Sequence, residues 1–130
     1  MFSRRSVLFA AVAASAVAIA PAFAASPKPF DAKAFADAQS AGKPILVWVH
    51  ASWCPTCKAQ TPILGQLTDD PKLKNLAYFM IDFDSQKDLV EHFGARMQST
   101  LIVFKGNKEE GRSVGDTNRA SIAVLLNKAL

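Results

Sequence analysis

The sequence predicts an α/β domain, a three-layer sandwich in which a mixed, roughly four-stranded sheet carries helices on both faces. Three observations lead there. Ile45-Leu46-Val47-Trp48-Val49 is an uninterrupted apolar run rich in β-branched residues, the pattern of a strand buried on both faces. Helix and strand patterns alternate up to Gly94, which implies parallel strands joined by helical crossovers. Two further strand patterns then flank Lys105-Gly106-Asn107-Lys108, a hairpin turn that adds antiparallel strands. Of the 130 residues, 50% are hydrophobic and 20% charged, too apolar for a disordered chain and sufficient for one core. Two cysteines are too few for a multi-bridge scaffold, so apolar burial must do the folding.

The elements follow in order. Residues 1–24 read as an export signal. Arg4 and Arg5 form a positive start, Val7–Ala20 is uncharged, and Ala22-Phe23-Ala24 follows Pro21 with small residues where a signal peptidase reads. Cleavage after Ala24 would leave residues 25–130 as the folded domain. The uncharged run is too short to span about 30 Å of hydrocarbon as an anchor. Ser3-Arg4-Arg5-Ser6-Val7-Leu8 also resembles a twin-arginine signal, so Sec and twin-arginine routes both stay open, and both end outside the cytoplasm. The formal charge of +4 includes Arg4 and Arg5; without them it is +2, and no basic cluster remains. Nucleic-acid binding is therefore not expected.

Ser26-Pro27-Lys28-Pro29 is a short extended lead-in. The spacing of Phe30, Ala34, Phe35 and Ala38 predicts a helix over Asp31–Ala41 with Asp31 as N-cap, ended by Gly42-Lys43-Pro44. After the strand Ile45–Val49 and a turn at Ala51-Ser52-Trp53, a helix starts near Cys54 and runs to about Leu67. Pro62 inside it removes a hydrogen bond and is expected to kink it. Asp69-Asp70-Pro71 marks a turn, Ala77–Phe83 a strand, and Ser85–Phe93 a helix. Thr100–Phe104 and Glu109–Val114 are the hairpin strands. Thr117 or Asp116 is expected to cap a last helix whose Ile122, Leu125, Leu126 and Leu130 form one stripe. Trp48, Phe79 and Phe104 are expected in the core.

The chemistry lies in Trp53-Cys54-Pro55-Thr56-Cys57-Lys58, which holds both cysteines of the chain. The spacing puts two thiols in the first turn of a helix that follows a buried strand. Cys54 lies at the N-terminus, where free N–H groups and the helix dipole stabilise a thiolate. Cys57, three residues on, faces back toward it. This is a two-thiol exchange device, in which the outer thiolate attacks a disulfide and the inner thiol resolves the mixed disulfide. A purely structural disulfide is the alternative, but so small a loop adds little stability.

With a strand before it and a helix carrying Pro62 after it, this motif resembles that of the thioredoxin-fold thiol–disulfide oxidoreductases, of the exported bacterial kind. The similarity covers Asp31–Leu130. Trp53 to Lys58 matches the family's Trp-Cys-x-x-Cys-Lys, Pro62 its helix-kinking proline, Thr100–Lys105 its penultimate strand, and Gly115 the glycine after its last strand. The resemblance implies that Cys54 is the nucleophile and Cys57 the resolving thiol. It further implies that Pro55 and Thr56 tune the pair and that Trp53, Ser99 and Thr100 border a substrate groove, Ser99 otherwise being an inert replacement; Lys58 is a solvated helix charge with a modest pull on the thiolate. No bound cofactor is implied, because the cysteine pair itself carries two electrons. Implied partners are periplasmic proteins with disulfides or thiols and a membrane electron donor, met by a monomer. The lean is toward reduction, because the similarity is greatest to small single-domain reductants without an inserted helical domain.

The sequence departs from the family at three places. Ser99 stands where a cis-proline usually faces the thiols, and a cis bond at serine costs about 3 kcal/mol, so a trans bond is expected. Trp48 occupies the position of the buried acid of thioredoxins. His50 replaces an aromatic residue four positions before Cys54, where it either lowers the Cys54 pKa or simply packs. The space opened by Ser99 motivates a second reading, a metal-binding or metal-delivery module using Cys54, Cys57 and His50. His92 would be a fourth ligand but is expected at the surface. A third reading is a redox-inert folding aid that only keeps the fold.

Overall fold

The computed structural model describes residues 13–17 and 26–130. Arg4, Arg5 and the expected Ala22-Phe23-Ala24 cleavage motif lie outside the described residues. Chain order is β1 (Lys28–Pro29), α1 (Ala32–Ser40), β2 (Pro44–His50), α2 (Pro55–Leu67), β3 (Ala77–Asp82), α3 (Lys87–His92), β4 (Thr100–Lys105), β5 (Lys108–Val114) and α4 (Arg119–Asn127). Among the described residues no helix is long and apolar enough to cross a membrane.

The sheet order is β1-β3-β2-β4-β5. β2 lies at the centre, parallel to β3 and antiparallel to β4, with Val47 opposite Phe79 on one side and Ile102 on the other. Its side chains alternate between two cores. Leu46 and Trp48 join Leu64 of α2 and Ile122, Leu125 and Leu126 of α4. Ile45, Val47 and Val49 join Ala38 of α1, Val90 of α3, and Phe79, Ile102 and Phe104. The continuous apolar run is thus buried on both faces because a helical layer covers each. Phe30, Phe35, Phe79, Phe93 and Phe104 fill the second core mostly edge to face, with centroids 5.4–6.2 Å apart.

The sheet has one strand more than the four expected. The extended lead-in pairs in parallel with β3, Lys28 opposite Phe79, and the Phe30 N–H continues to the Met80 carbonyl at 3.0 Å. Pro29 has no N–H to give, so an edge is the place where such a strand fits. Other differences are local. α3 starts at Lys87 rather than Ser85, because Gln86 folds back on Asp82: its side-chain carbonyl accepts from the Asp82 N–H at 2.9 Å. α4 is capped by Asn118 rather than Thr117 or Asp116, since its side chain reaches the Ser121 N–H at 3.1 Å. Asp116 instead receives the Asn118 N–H and the Ser121 hydroxyl. Ile122, Leu125 and Leu126 are buried as the stripe predicts, whereas Leu130 is 41% exposed, beyond the helix end. Ala34, expected on the apolar face of α1, is exposed. The hairpin turn is Gly106-Asn107, with Gly106 at φ 59°, where a Cβ would press on Gln39 and Gly42.

Burial at the sheet centre should dominate stability. Ile102→Ala removes a side chain with 0% exposure and is expected to cost about 2–5 kcal/mol in urea unfolding. Val124→Ala on α4, 61% exposed, should stay within about 0.5 kcal/mol of the parent. Equal effects at the two positions would contradict the layer assignment.

Candidate functional site

β2 ends at His50, and the chain turns through Ala51-Ser52-Trp53 to set Cys54 at the N-cap of α2. The backbone of Cys54 is extended (φ −81°, ψ 114°), and its sulfur accepts the Cys57 N–H at 3.1 Å. The sulfur thus fills the place that a serine or aspartate oxygen takes at most helix starts. Pro55 at the first helical position has no N–H to leave unpaired. Both cysteines are free thiols with almost no exposure, 2% for Cys54 and 0% for Cys57.

The two thiols are electrostatically unequal. Burial raises the pKa of Cys54, but hydrogen bonds from the Cys57 thiol, the Ser99 hydroxyl and the Cys57 and Thr56 N–H groups outweigh it and hold Cys54 below its ordinary value. Burial raises Cys57, and the neighbouring Cys54 sulfur raises it further, beyond what the Ser99 hydroxyl and the Ala51 backbone offset. Cys54 is therefore the readier of the two to ionise and Cys57 the one that holds its proton longer, the order that nucleophile and resolving thiol require.

Ser99 lies directly against the pair, its hydroxyl 3.0 Å from each sulfur. It is 2% exposed, and among the described residues it is the one non-glycine residue at positive φ (62°). No cis peptide bond occurs among the described residues. Two main-chain hydrogen bonds and one from a side chain hold this backbone: Ser99 N–H to the Val49 carbonyl at 2.7 Å, Gly115 N–H to the Ser99 carbonyl at 3.0 Å, and the Gln60 side-chain amide to the same carbonyl at 3.2 Å. A left-handed serine costs of order 1 kcal/mol or more and persists only where its surroundings over-determine it.

The sequence reading missed Gln60. Its buried side chain accepts from the Trp48 indole N–H at 2.9 Å and donates to the Ser99 and Asp116 carbonyls. Its signal was its place three residues after Cys57 on the face of α2 that also carries Leu64. Met97 and Val114 were missed as well. They are 50% and 60% exposed, Met97 two residues before Ser99 and Val114 opposite Thr100 on the neighbouring strand, and Trp53, next to Cys54 in the chain, is 57% exposed.

The other expected site residues scatter. Trp53 is held by its indole N–H on the Asp84 carboxylate at 2.7 Å. Thr100 turns inward, 1% exposed, its hydroxyl donating to the Met97 carbonyl at 2.7 Å because β4 begins there. Lys58 and Pro55 are exposed on the first turn of α2, beside the half-buried Thr56. The His50 ring packs edge-on against Trp48 at 4.7 Å and sits opposite Asp82 in the sheet register, with no hydrogen bond to either sulfur. The Asp82 carboxyl is held below its usual range, first by the Asp84 N–H and the Ser85 hydroxyl, and to a lesser extent by His50. His92 is exposed beside Phe93 in the other layer. Among the described residues no three His, Cys, Asp or Glu side chains come together to hold a metal, so the metal reading based on Cys54, Cys57 and His50 finds no support in the geometry.

The thioredoxin family model matches residues 26–128. The chain belongs to the thioredoxin family. It is 37% identical over 94 residues to a thioredoxin of Chlamydia muridarum, covering 72% of this chain and 89% of that protein. It is 31% identical over 86 residues to Thioredoxin Asp f 29 of Aspergillus fumigatus, covering 65% and 78%. Among solved structures, Trxlp from Edwardsiella tarda EIB202 superposes with a TM-score of 0.75 at 39% identity, covering 78% of this chain and 98% of that one. This thioredoxin-family protein is a disulfide oxidoreductase whose own Cys54–Cys57 pair carries the electrons, with no further cofactor needed. Its substrates are disulfide-containing proteins.

Alkylation reads the asymmetry of the thiols directly. Because the Cys54 pKa is lowered, its thiolate survives to lower pH and is lost only as pH falls through that depressed value. Iodoacetamide should modify Cys54 with its half-maximal rate at a lower pH than for a free cysteine. Cys57 should stay unmodified in the folded protein. Mass spectrometry across pH 4–10 checks both statements, and a Cys54 midpoint at or above that of free cysteine contradicts them. Gln60→Leu should cost about 2–4 kcal/mol in urea unfolding, since it leaves the Trp48 N–H and two carbonyls without this partner. A loss below about 1 kcal/mol would mean the network does not brace the site.

Proposed function

We propose that this protein is an exported disulfide reductase of the periplasm. Its leader, residues 1–24, carries it out of the cytoplasm, and residues 25–130 act as the working domain. The Cys54-Pro55-Thr56-Cys57 pair reduces disulfides of other exported proteins and is recharged by a membrane electron donor. The observation that carries the reading is the polarity of the pair, an N-capping Cys54 with lowered pKa against a buried Cys57 with raised pKa. In reduction the first must attack as thiolate while the second waits protonated. Two further features support it. The connections between β3, α3 and β4 are short and carry no inserted helical domain. The leader pattern of Arg4-Arg5, an uncharged run and Ala22-Phe23-Ala24 supports export.

The decisive experiment equilibrates the protein with glutathione and dithiothreitol buffers and measures the reduction potential of the Cys54–Cys57 pair. A value of about −250 mV or lower is expected for a reductant. A value of about −120 to −150 mV would overturn the direction of electron flow and make the protein an oxidant of newly exported thiols. Osmotic-shock fractionation tests the compartment in the same cells. A chain beginning at Ala25 in the shock fluid is expected, and an unprocessed chain retained with the cytoplasm would overturn export.

A further inference from the structure

The Cys57 proton has to leave when the mixed disulfide is resolved, yet the surroundings of the pair hold no evident base. Trp48 is an indole tied to Gln60, and Gln60 is a neutral amide with its oxygen and nitrogen both engaged. The titratable groups on the surrounding elements are Lys58 on α2, His50 at the end of β2, Asp82 and Asp84 at and after the end of β3, and Asp116 after β5. Among the described residues no carboxylate, imidazole or amine is hydrogen bonded to either sulfur. The one side-chain group other than the cysteines themselves in that position is the Ser99 hydroxyl, 3.0 Å from both.

A hydroxyl has one proton to give and lone pairs to accept with. Between two sulfurs that share one proton, both contacts are hydrogen bonds when the hydroxyl accepts from the protonated sulfur and donates to the other. The backbone N–H at the start of α2 decides which sulfur is the anion, because it points at Cys54. The Ser99 hydroxyl therefore donates to the Cys54 thiolate, and its lone pairs are open to the Cys57 thiol once Cys54 is bound to substrate. The strained φ of 62° and the three hydrogen bonds on the Ser99 backbone, two from main chain and one from Gln60, keep the hydroxyl at this point.

We propose that Ser99 is a catalytic residue of the exchange reaction, its hydroxyl donating to the Cys54 thiolate at rest and accepting the Cys57 proton in the resolving step. In the first step Cys54 Sγ attacks one substrate sulfur, the substrate S–S bond breaks, and its electron pair leaves with the other sulfur as a thiolate that takes a proton from water. In the second step Cys57 Sγ attacks Cys54 Sγ, and the bond from Cys54 to the substrate breaks with its pair going to the substrate sulfur. The Cys57 proton passes to Ser99 Oγ as the Ser99 proton passes to the departing thiolate. The serine is regenerated, the protein loses two electrons as the Cys54–Cys57 disulfide forms, and the substrate gains them as two thiols. The role rests on exchange chemistry alone, not on compartment or on the direction of electron flow in the cell.

The test compares the protein with Ser99→Ala and Ser99→Gly, the glycine variant tolerating the positive φ should alanine fold poorly. The first readout is thiolate absorbance near 240 nm during pH titration. Loss of a hydrogen bond to a charged sulfur should raise the Cys54 midpoint by about one pH unit. The second is single-turnover release of the second thiol from a disulfide-linked fluorescent peptide. At neutral pH release should slow about tenfold or more with the Cys54-linked mixed disulfide accumulating, and the deficit should shrink as pH rises and Cys57 ionises unaided. Folded variants with an unmoved Cys54 midpoint, or with a deficit equal at every pH, would overturn the role. If the unsubstituted protein released no thiol at any pH, the exchange activity would itself fail, and the resolving role with it.

Discussion

The double burial of β2 places every other element. A strand apolar on both faces cannot meet water on either, so α1 and α3 must cover one face and α2 and α4 the other. Its parallel pairing with β3 requires a crossover, which α2 supplies, and its antiparallel pairing with β4 leaves room for a hairpin with β5. The same constraint delivers the chemistry. The strand runs out of sheet at His50, and the short turn that follows sets Cys54 at the start of α2 with its sulfur on the backbone N–H of Cys57.

Burial and hydrogen bonding then oppose each other at the pair, and geometry decides the winner separately for each sulfur. Cys54 collects several hydrogen bonds, which together exceed the cost of its burial. Cys57, one turn deeper, has burial and the adjacent sulfur against its charged form. Ser99 touches both and is held by main-chain bonds at two different strand ends and by the Gln60 side chain of α2. Each hydrogen bond on the Cys54 thiolate that a disulfide would lose stabilises the reduced state, so the serine moderates the reducing strength of the pair while it raises the share of Cys54 present as thiolate.

The elements were legible in the sequence because their signals are local. Ile45–Val49 announces a doubly buried strand by composition, Asp31 a helix start by its side-chain oxygen, and Cys54-x-x-Cys57 a thiol pair by spacing. What stayed hidden depends on contacts distant along the chain. Lys28–Pro29 reads as a lead-in because only β3, some fifty residues later, makes it a strand. Asp116, Thr117 and Asn118 are all capable caps, and the approach of α4 to the sheet selects the third. Gln60 reads as an ordinary helical glutamine until Trp48, Ser99 and Asp116 converge on it. Ser99 reads as a lost proline, and nothing short of its φ shows that its hydroxyl reaches both sulfurs.

The departures at Trp48 and Ser99 form one arrangement through Gln60 rather than two independent substitutions. An indole at position 48 offers a donor that a buried carboxylate would not, and Gln60 accepts it. The same glutamine, turned by that bond, directs its amide at the Ser99 carbonyl, which helps hold the serine in its left-handed backbone. A fully satisfied neutral network carries no charge to desolvate, so it avoids the penalty that an unpaired buried acid would bring. It also has no titratable group with which to take the Cys57 proton. The hydroxyl that the network positions is the group that meets that need, so the residue that opens the proline position and the residues that replace the acid complete one another.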